Sequence, residues 1–582
     1  MPPKLRVFTA NPRFEQRAKM DISTSLAAVL KTHPKLGPKE AMWIVRDQML
    51  ANNPYEPPSN GKCPINDLPA EILGHIFEIG VMMQEDGEDE DEDDWEDMSI
   101  DDEDKNDLTE GSPLSIESCL SSIDSTSDED PPFQILASHV CRHWREVALN
   151  LHVLWTTLAF DGCLKLEKSK VFIDRAKGLP LNIYMDCESL EDDTDEEDPP
   201  QGVLSQDDLK QILDLIEPEV SHWGEIEFHF DNYDYVQILL SRLHQLPSAP
   251  LLKKFHVFQH GDEESHESNY DDMINYLPFH GNAPLLESAV FWGIHIDWDN
   301  SPCFLRGLRH LELSYHDNDV RPSYTTFIQL IKNSPDLRFL ELSLSGPALA
   351  SGAQFDDEDQ WGPEPFDIPS VHYLTLQFHE PQAASALIQH FYFPNLCGLK
   401  LNFDAEDYTS FVYKLLVPVK GRPKSILSGL ESLEISGLPC NVASAEAMLK
   451  QLTKLKTLCL KCYGPEELMI FQKLIHPSHG REETKAVTET LPDIFCPLLE
   501  TLTVTLVDES LVKRLVTARK TAGVPLKKLR LSNETVSKET HDWLENQVEV
   551  VEYFEPSDSE EEGSEDEDED EDEVSFSYEW HC

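Results

Sequence analysis

A hexad of the form L-x-x-L-x-L recurs from about residue 180 to about residue 550, and it constrains this chain more than any other feature. It reads Leu308-Arg-His-Leu311-Glu-Leu313, Leu337-Arg-Phe-Leu340-Glu-Leu342, Val371-His-Tyr-Leu374-Thr-Leu376 and Leu396-Cys-Gly-Leu399-Lys-Leu401. It continues as Leu430-Glu-Ser-Leu433-Glu-Ile435, Leu455-Lys-Thr-Leu458-Cys-Leu460, Leu499-Glu-Thr-Leu502-Thr-Val504 and Leu526-Lys-Lys-Leu529-Arg-Leu531. Weaker copies stand at Trp223-Ile226-Phe228, Leu252-Phe255-Val257 and Leu286-Ala289-Phe291. The last two apolar residues of each hexad are two apart, so they share one face of a short strand. One such strand cannot bury its face alone, but stacked copies can, with a helix from each unit covering the core. Helix-compatible stretches do fall between the hexads, at 235–246, 324–332, 383–391, 408–416, 443–452 and 510–520.

This pattern resembles the leucine-rich repeat. The spacing is irregular, roughly 22 to 44 residues against about 20 to 29 in standard repeats, and the asparagine that usually follows the strand is mostly missing. The expectation is an irregular α/β solenoid over 161–554. The residue between the two inward positions points out onto the sheet face: His256, Glu312, Glu341, Thr375, Lys400, Glu434, Cys459, Thr503 and Arg530 in successive units. Neighbours two residues earlier include Phe339, Tyr373, Thr457 and Lys528. Solenoids commonly bind partners on that face, and aromatics are frequent anchors. Target-binding residues are therefore expected at Glu312, Phe339, Glu341, Tyr373, Thr375, Lys400 and Glu434.

Ahead of the repeats, residues 63–160 carry two apolar helical stripes interrupted by an insert at 84–130. In the first, Asp67 can cap a helix and Pro69 suits its first turn. Leu68, Ile72, Leu73, Ile76 and Phe77 then fall at helical spacing. In the second, Ile135, Val140, Cys141, Trp144, Val147 and Ala148 form a stripe, followed by Leu154 and Trp155. Helices this short and this apolar cannot bury everything against each other, so part of the surface is left for a partner.

The ordered marks Leu68-Pro69, Glu71-Ile72-Leu73, Ile76-Phe77, Val140-Cys141-Arg142, Trp144-Arg145 and Leu154-Trp155 resemble the F-box, most closely that of a large fungal family. His152-Val153 replaces the usual proline before the final Leu-Trp, and the insert is a second departure. The resemblance implies docking to the Skp adaptor, and through it to a cullin. Leu68, Pro69, Ile72, Leu73, Ile76, Phe77, Val140, Cys141, Trp144 and Trp155 would supply the contact and the small core behind it. The expected fold class is thus α+β: a small all-helical F-box domain, an irregular leucine-rich-repeat solenoid, and disordered acidic segments.

The charge of −62 over 582 residues disfavours nucleic-acid phosphates and anionic membranes as partners. Much of it sits at 85–104, 191–198 and 555–573. Such dense like charge predicts disorder in the insert and in the tail 555–582. The arm 1–62 is mildly basic and partly helix-compatible. No apolar run suits a membrane span or a secretory leader. The 12 scattered cysteines suit a reducing, cytoplasmic or nuclear compartment.

No nucleotide-binding, metalloprotease or nucleophile-elbow motif occurs. Cys459-Leu-Lys-Cys462 lacks a second pair, and the helical spacing of His139, Cys141 and His143 puts His143 on a different face from Cys141. No cofactor, metal or catalytic residue is expected. The chain reads as the non-catalytic substrate receptor of a Skp–cullin–F-box ubiquitin ligase. The competing reading is an acidic scaffold or chaperone for basic proteins.

Overall fold

A computed structural model describes residues 64–85, 131–160, 164, 166–187, 204–260, 276–318, 320–349, 361–362, 364–403, 406–462, 464–475, 494–532 and 536–554. The arm at 1–62, nearly all of the insert, the acidic run at 191–198 and the tail from 555 lie outside these residues. Contacts divide the chain into two units, at Leu154/Trp155.

The first unit is a helical hairpin. Helix α1 spans Ala70–Glu85, α2 Phe133–Val140 and α3 Arg142–Asn150. Pro69 stands just ahead of α1, its carbonyl accepting the Leu73 N–H at 3.1 Å. The apolar stripe of the first segment splits in two. Leu73 and Phe77 are fully buried, whereas Ile72 and Ile76, one residue earlier in each turn, face solvent. Phe77 packs on Trp144 at 5.1 Å and edge-on to Phe133 at 6.4 Å. The Phe133 ring fills the space beside Gly80, where a Cβ would lie 2.4 Å from it, so the close approach requires glycine. Gln84 Oε1 accepts the Phe133 N–H at 2.6 Å and ties the two ends of the insert together.

The second stripe does not run through one helix. Cys141 is extended (φ −157°, ψ 171°) and its sulfur accepts the Trp144 N–H at 3.4 Å, so it caps α3 and breaks the helix after Val140.

The second unit is mixed α/β. Fourteen of its sixteen described strands form one sheet, each pairing parallel to the next of the fourteen in chain order, while Phe366–Asp367 and Phe391–Tyr392 pair with each other apart from it. The fourteen are Thr157–Phe160, Leu181–Cys187, Trp223–Phe230, Lys254–Gln259, Ser288–Trp292, His310–Ser314, Phe339–Ser343, Tyr373–Gln377, Gly398–Asn402, Ser432–Gly437, Thr457–Lys461, Thr501–Thr505, Lys528–Ser532 and Val550–Phe554. The first of them starts ahead of the expected boundary at 161. Trp155, fully buried, packs edge-on to Phe172 with the Arg175 guanidinium 4.2 Å from its ring, inside this unit.

All three apolar positions of the clear hexads are buried, for example Leu308, Leu311 and Leu313 at 0%, 1% and 0% exposed. Successive hexads are stitched identically. The carbonyl of the second residue accepts two consecutive N–H groups of the next unit, as Arg309 O does from Arg338 and Phe339 at 2.8 and 3.0 Å.

Helices at Tyr233–Gln245, Tyr324–Asn333, Pro381–His390, Thr409–Leu416, Val442–Gln451 and Glu509–Thr521 fall within two residues of the expected stretches. Helices of consecutive units pack on one another, giving a second layer over the apolar sheet face. None of the described helices is long and apolar enough to cross a membrane.

The missing asparagine has replacements. The residue after a strand turns left-handed, as at Tyr315 (φ 55°), Leu344 (φ 46°) and Phe378 (φ 56°), and donates its N–H to the end of the next strand at 2.8 Å. Behind this turn two imidazoles are sealed in. His316 Nε2 donates to Ile294 O at 3.1 Å while its Nδ1 accepts from Ser345 Oγ at 2.9 Å. His379 Nε2 donates to Leu342 O at 3.0 Å. Each is 1% exposed, and burial pushes both down to about 3.

At Gly437 the register slips by a residue, and an added Cβ would lie 2.1 Å from the Phe403 carbonyl oxygen. Backbone cannot yield cheaply there. Gly437→Ala is expected to cost about 1–3 kcal/mol, by analogy with overpacked cores. Thermal unfolding checks this, and an unchanged midpoint contradicts it.

Candidate functional site

Two surfaces carry the residues singled out in the sequence, one on each unit. On the hairpin, α1 bears an exposed apolar row, Ile72, Ile76, Ile79 and Met83, at 51%, 38%, 43% and 64% exposure. Leu136 and Val140 form an exposed pair on α2 at 46% and 60%. Pro69 is exposed, and Leu68, Cys141 and Trp144 are half-buried. Trp144 Nε1 donates to Asn66 Oδ1 at 2.9 Å, which orients the indole against Phe77. Leu73, Phe77 and Trp155 offer no surface and serve as core. Ile79, Met83 and Leu136 were missed by the sequence reading, although the helical spacing that marks Ile72 and Ile76 extends to Ile79 and Met83.

On the sheet, the outward residues align into one row in register: Glu227, His256, Val290, Glu312, Glu341, Thr375, Lys400, Glu434, Cys459, Thr503, Arg530 and Glu552. The structure therefore brings Glu312, Glu341, Thr375, Lys400 and Glu434 side by side. Phe339 and Tyr373 are also register partners, one row over. Their rings stack at 4.9 Å and 11°, with 41% and 46% of each residue exposed. The charges are more compensated than the sequence suggests. Lys400 pairs with Glu434 at 3.3 Å. Lys528 and Arg530 both reach Glu552 at 2.7 and 3.3 Å, on a final strand with no hexad to announce it. Thr375 is buried and hydrogen-bonds Glu341.

No protein-family model matches this chain, and no curated protein matches it.

The outward face also carries a hydrogen-bonded ladder that no local pattern announces. His229 Nδ1 meets His260 Nε2 at 3.2 Å, and His229 Nε2 meets Glu227 at 3.2 Å. His256 Nδ1 lies 3.5 Å from the other Glu227 oxygen, and its Nε2 is 2.8 Å from Ser288 Oγ. Ser288 Oγ meets His310 Nδ1 at 2.9 Å, and His310 Nε2 meets Glu341 at 3.2 Å. Beside it, Glu312 accepts from the Trp292 indole and from Ser314 Oγ. The hydrogen bonds from His229 and His256 hold the Glu227 carboxyl well below the usual range. Burial, then the neighbouring Glu341 carboxylate, raises Glu312, whereas the His310 hydrogen bond lowers Glu341. Flat rings cover this end of the face: His229 stacks on Phe258 at 4.4 Å, and Phe258 meets Trp292 at 5.2 Å.

Proposed function

We propose that this chain is the substrate receptor of a Skp–cullin–F-box ubiquitin ligase. Its hairpin is the F-box, and its sheet unit an irregular leucine-rich-repeat solenoid that holds the target. The observation that carries the reading is the row Ile72, Ile76, Ile79 and Met83, exposed on a hairpin whose own core is already filled by Leu73 and Phe77. An apolar row of this kind is what a partner helix or groove covers. Ile72 and Ile76 of that row belong to the F-box-like order of residues, which supports a Skp-type adaptor as the partner. Such a receptor performs no bond chemistry. It raises the local concentration of target lysines beside a charged conjugating enzyme.

The test is co-purification of the full chain with a Skp-type adaptor, against the double variant Ile76→Asp/Val140→Asp. Both side chains are exposed, so folding changes little. Burying two unpaired carboxylates in an interface is expected to weaken capture by at least about tenfold. Wild-type capture by the variant, or none by the wild type, sinks the reading. A wild type that instead binds only basic proteins favours the acidic scaffold.

The target is assigned to the outward face, with Phe339 and Tyr373 as anchors. Phe339→Ala/Tyr373→Ala is expected to keep adaptor capture and lose proximity labelling of the target, by roughly tenfold or more. Undiminished labelling moves the target elsewhere.

A further inference from the structure

Among the described residues, one group of three metal-capable side chains converges. His310, Glu312 and Glu341 place their donor atoms within 4.8 Å of one another. His310 Nε2 lies 3.2 Å from Glu341 Oε1 and 4.0 Å from Glu312 Oε2. Ligand atoms around zinc sit about 3.0–3.4 Å apart, so closing the trio takes movements of about 1 Å in flexible side chains.

The residues outside the trio point to a cation. Glu227 is acceptor-only, so His256 donates to it from Nδ1 and keeps a bare Nε2. Ser288 then donates to His256 and accepts from His310 Nδ1–H. In this tautomer chain, assigned from the network, His310 turns an unprotonated Nε2 toward two carboxylates. A proton or a metal ion must then sit between His310 Nε2 and Glu341, and as a proton it makes the hydrogen bond seen between them. Glu312 and Glu341 are direct register partners on adjacent strands, an arrangement that like charge destabilises. The other Glu312 oxygen is held by Trp292 and Ser314, which leaves Oε2 free toward His310. Ordering of an imidazole through its second nitrogen, and of a carboxylate through its second oxygen, is the outer support that metal ligands use.

We propose that His310, Glu312 and Glu341 form a three-ligand site for a divalent first-row transition ion of the zinc or cobalt class. One imidazole with two carboxylates suits such ions better than calcium or magnesium. Side-chain exposures of 25%, 13% and 31% leave a coordination position open to water or to a donor side chain of a docked protein. The site stands independently of the ligase reading. No local pattern announces it, because its ligands come from two strands and no ligand spacing repeats.

The experiment uses the full metal-stripped chain with excess Mg²⁺, so that the acidic runs are already occupied. Co²⁺ is added while visible absorption and calorimetry are followed, then displaced with Zn²⁺. The expected result is one Co²⁺ more in the wild type than in His310→Asn or Glu341→Gln, with a spectrum lost on Zn²⁺ addition. Ser288→Ala keeps all three ligands but releases the imidazole, and is expected to weaken Co²⁺ about tenfold or more. Equal stoichiometry in wild type and variants overturns the proposal and leaves a proton as the occupant. A wild-type spectrum indistinguishable from hexaaqua Co²⁺ overturns it too, whether or not the variants fold.

Discussion

Phe77→Ala is expected to unfold the helical hairpin and, with it, to abolish capture of a Skp-type adaptor. Phe77 is fully buried and joins all three helices, touching Phe133 of α2 and Trp144 of α3. Truncating a buried phenylalanine costs about 3–5 kcal/mol. Among the described residues of the unit the buried apolar side chains are few, Leu73, Phe77, Ala137, Val147, Ala148 and Leu154, and they hold no reserve of that size. Hydrogen exchange should show α1–α3 losing protection while the sheet keeps its own. Wild-type protection across α1 would mean that the core is redundant at Phe77. The distinction from Ile76→Asp/Val140→Asp is the point: one variant loses the partner by unfolding, the other with the fold intact.

Acid is expected to destabilise the sheet unit well before its surface carboxylates are protonated. His316 and His379 are neutral in the folded chain, with burial holding them down to about 3. An exposed imidazole titrates near about 6.5, so the unfolded chain binds more protons in between. The stabilising contribution is complete above about 6.5 and is lost progressively as pH falls toward about 3. Each imidazole contributes a slope of just over about 1 kcal/mol per pH unit. From about pH 6.5 to about 4.5 the pair costs on the order of 5 kcal/mol. Urea midpoints across that window measure it. His316→Asn/His379→Asn, whose amides still donate, should flatten the slope even if both midpoints fall. A slope that does not change would mean that other groups set the acid limit.

Burial was the legible part. Leu311, Leu313, Leu340 and Leu342 lie inside because a period of two leaves them no other face. Helix positions followed, since each strand needs a cover. The strands Thr157–Phe160 and Leu181–Cys187 were hidden because they lack the leading leucine and show only alternation. The break at Cys141 was hidden because neither glycine nor proline marks it and a thiol is a rare cap. The rows on the outward face could be read from the hexads, but their pairings could not. The ladder joins residues as far apart as His229 and His260, and registration across strands, not local spacing, creates it. Lys528 and Arg530 gain their acidic partner for the same reason, once Val550–Phe554 adds Glu552.

The strict chain-order pairing of the fourteen strands also sets how the molecule gives way under load. Within this sheet each inner strand is held only by its two neighbours in that order, and among the described strands the one return, Phe391–Tyr392 onto Phe366–Asp367, reaches back over a single repeat. Pulled from its ends, such an array peels from whichever rim is weaker, one repeat at a time. Its force–extension trace is a train of small teeth rather than one tall rupture. An unfoldase engaging either terminus would meet a series of low steps, each about the cost of freeing a single strand and its helix.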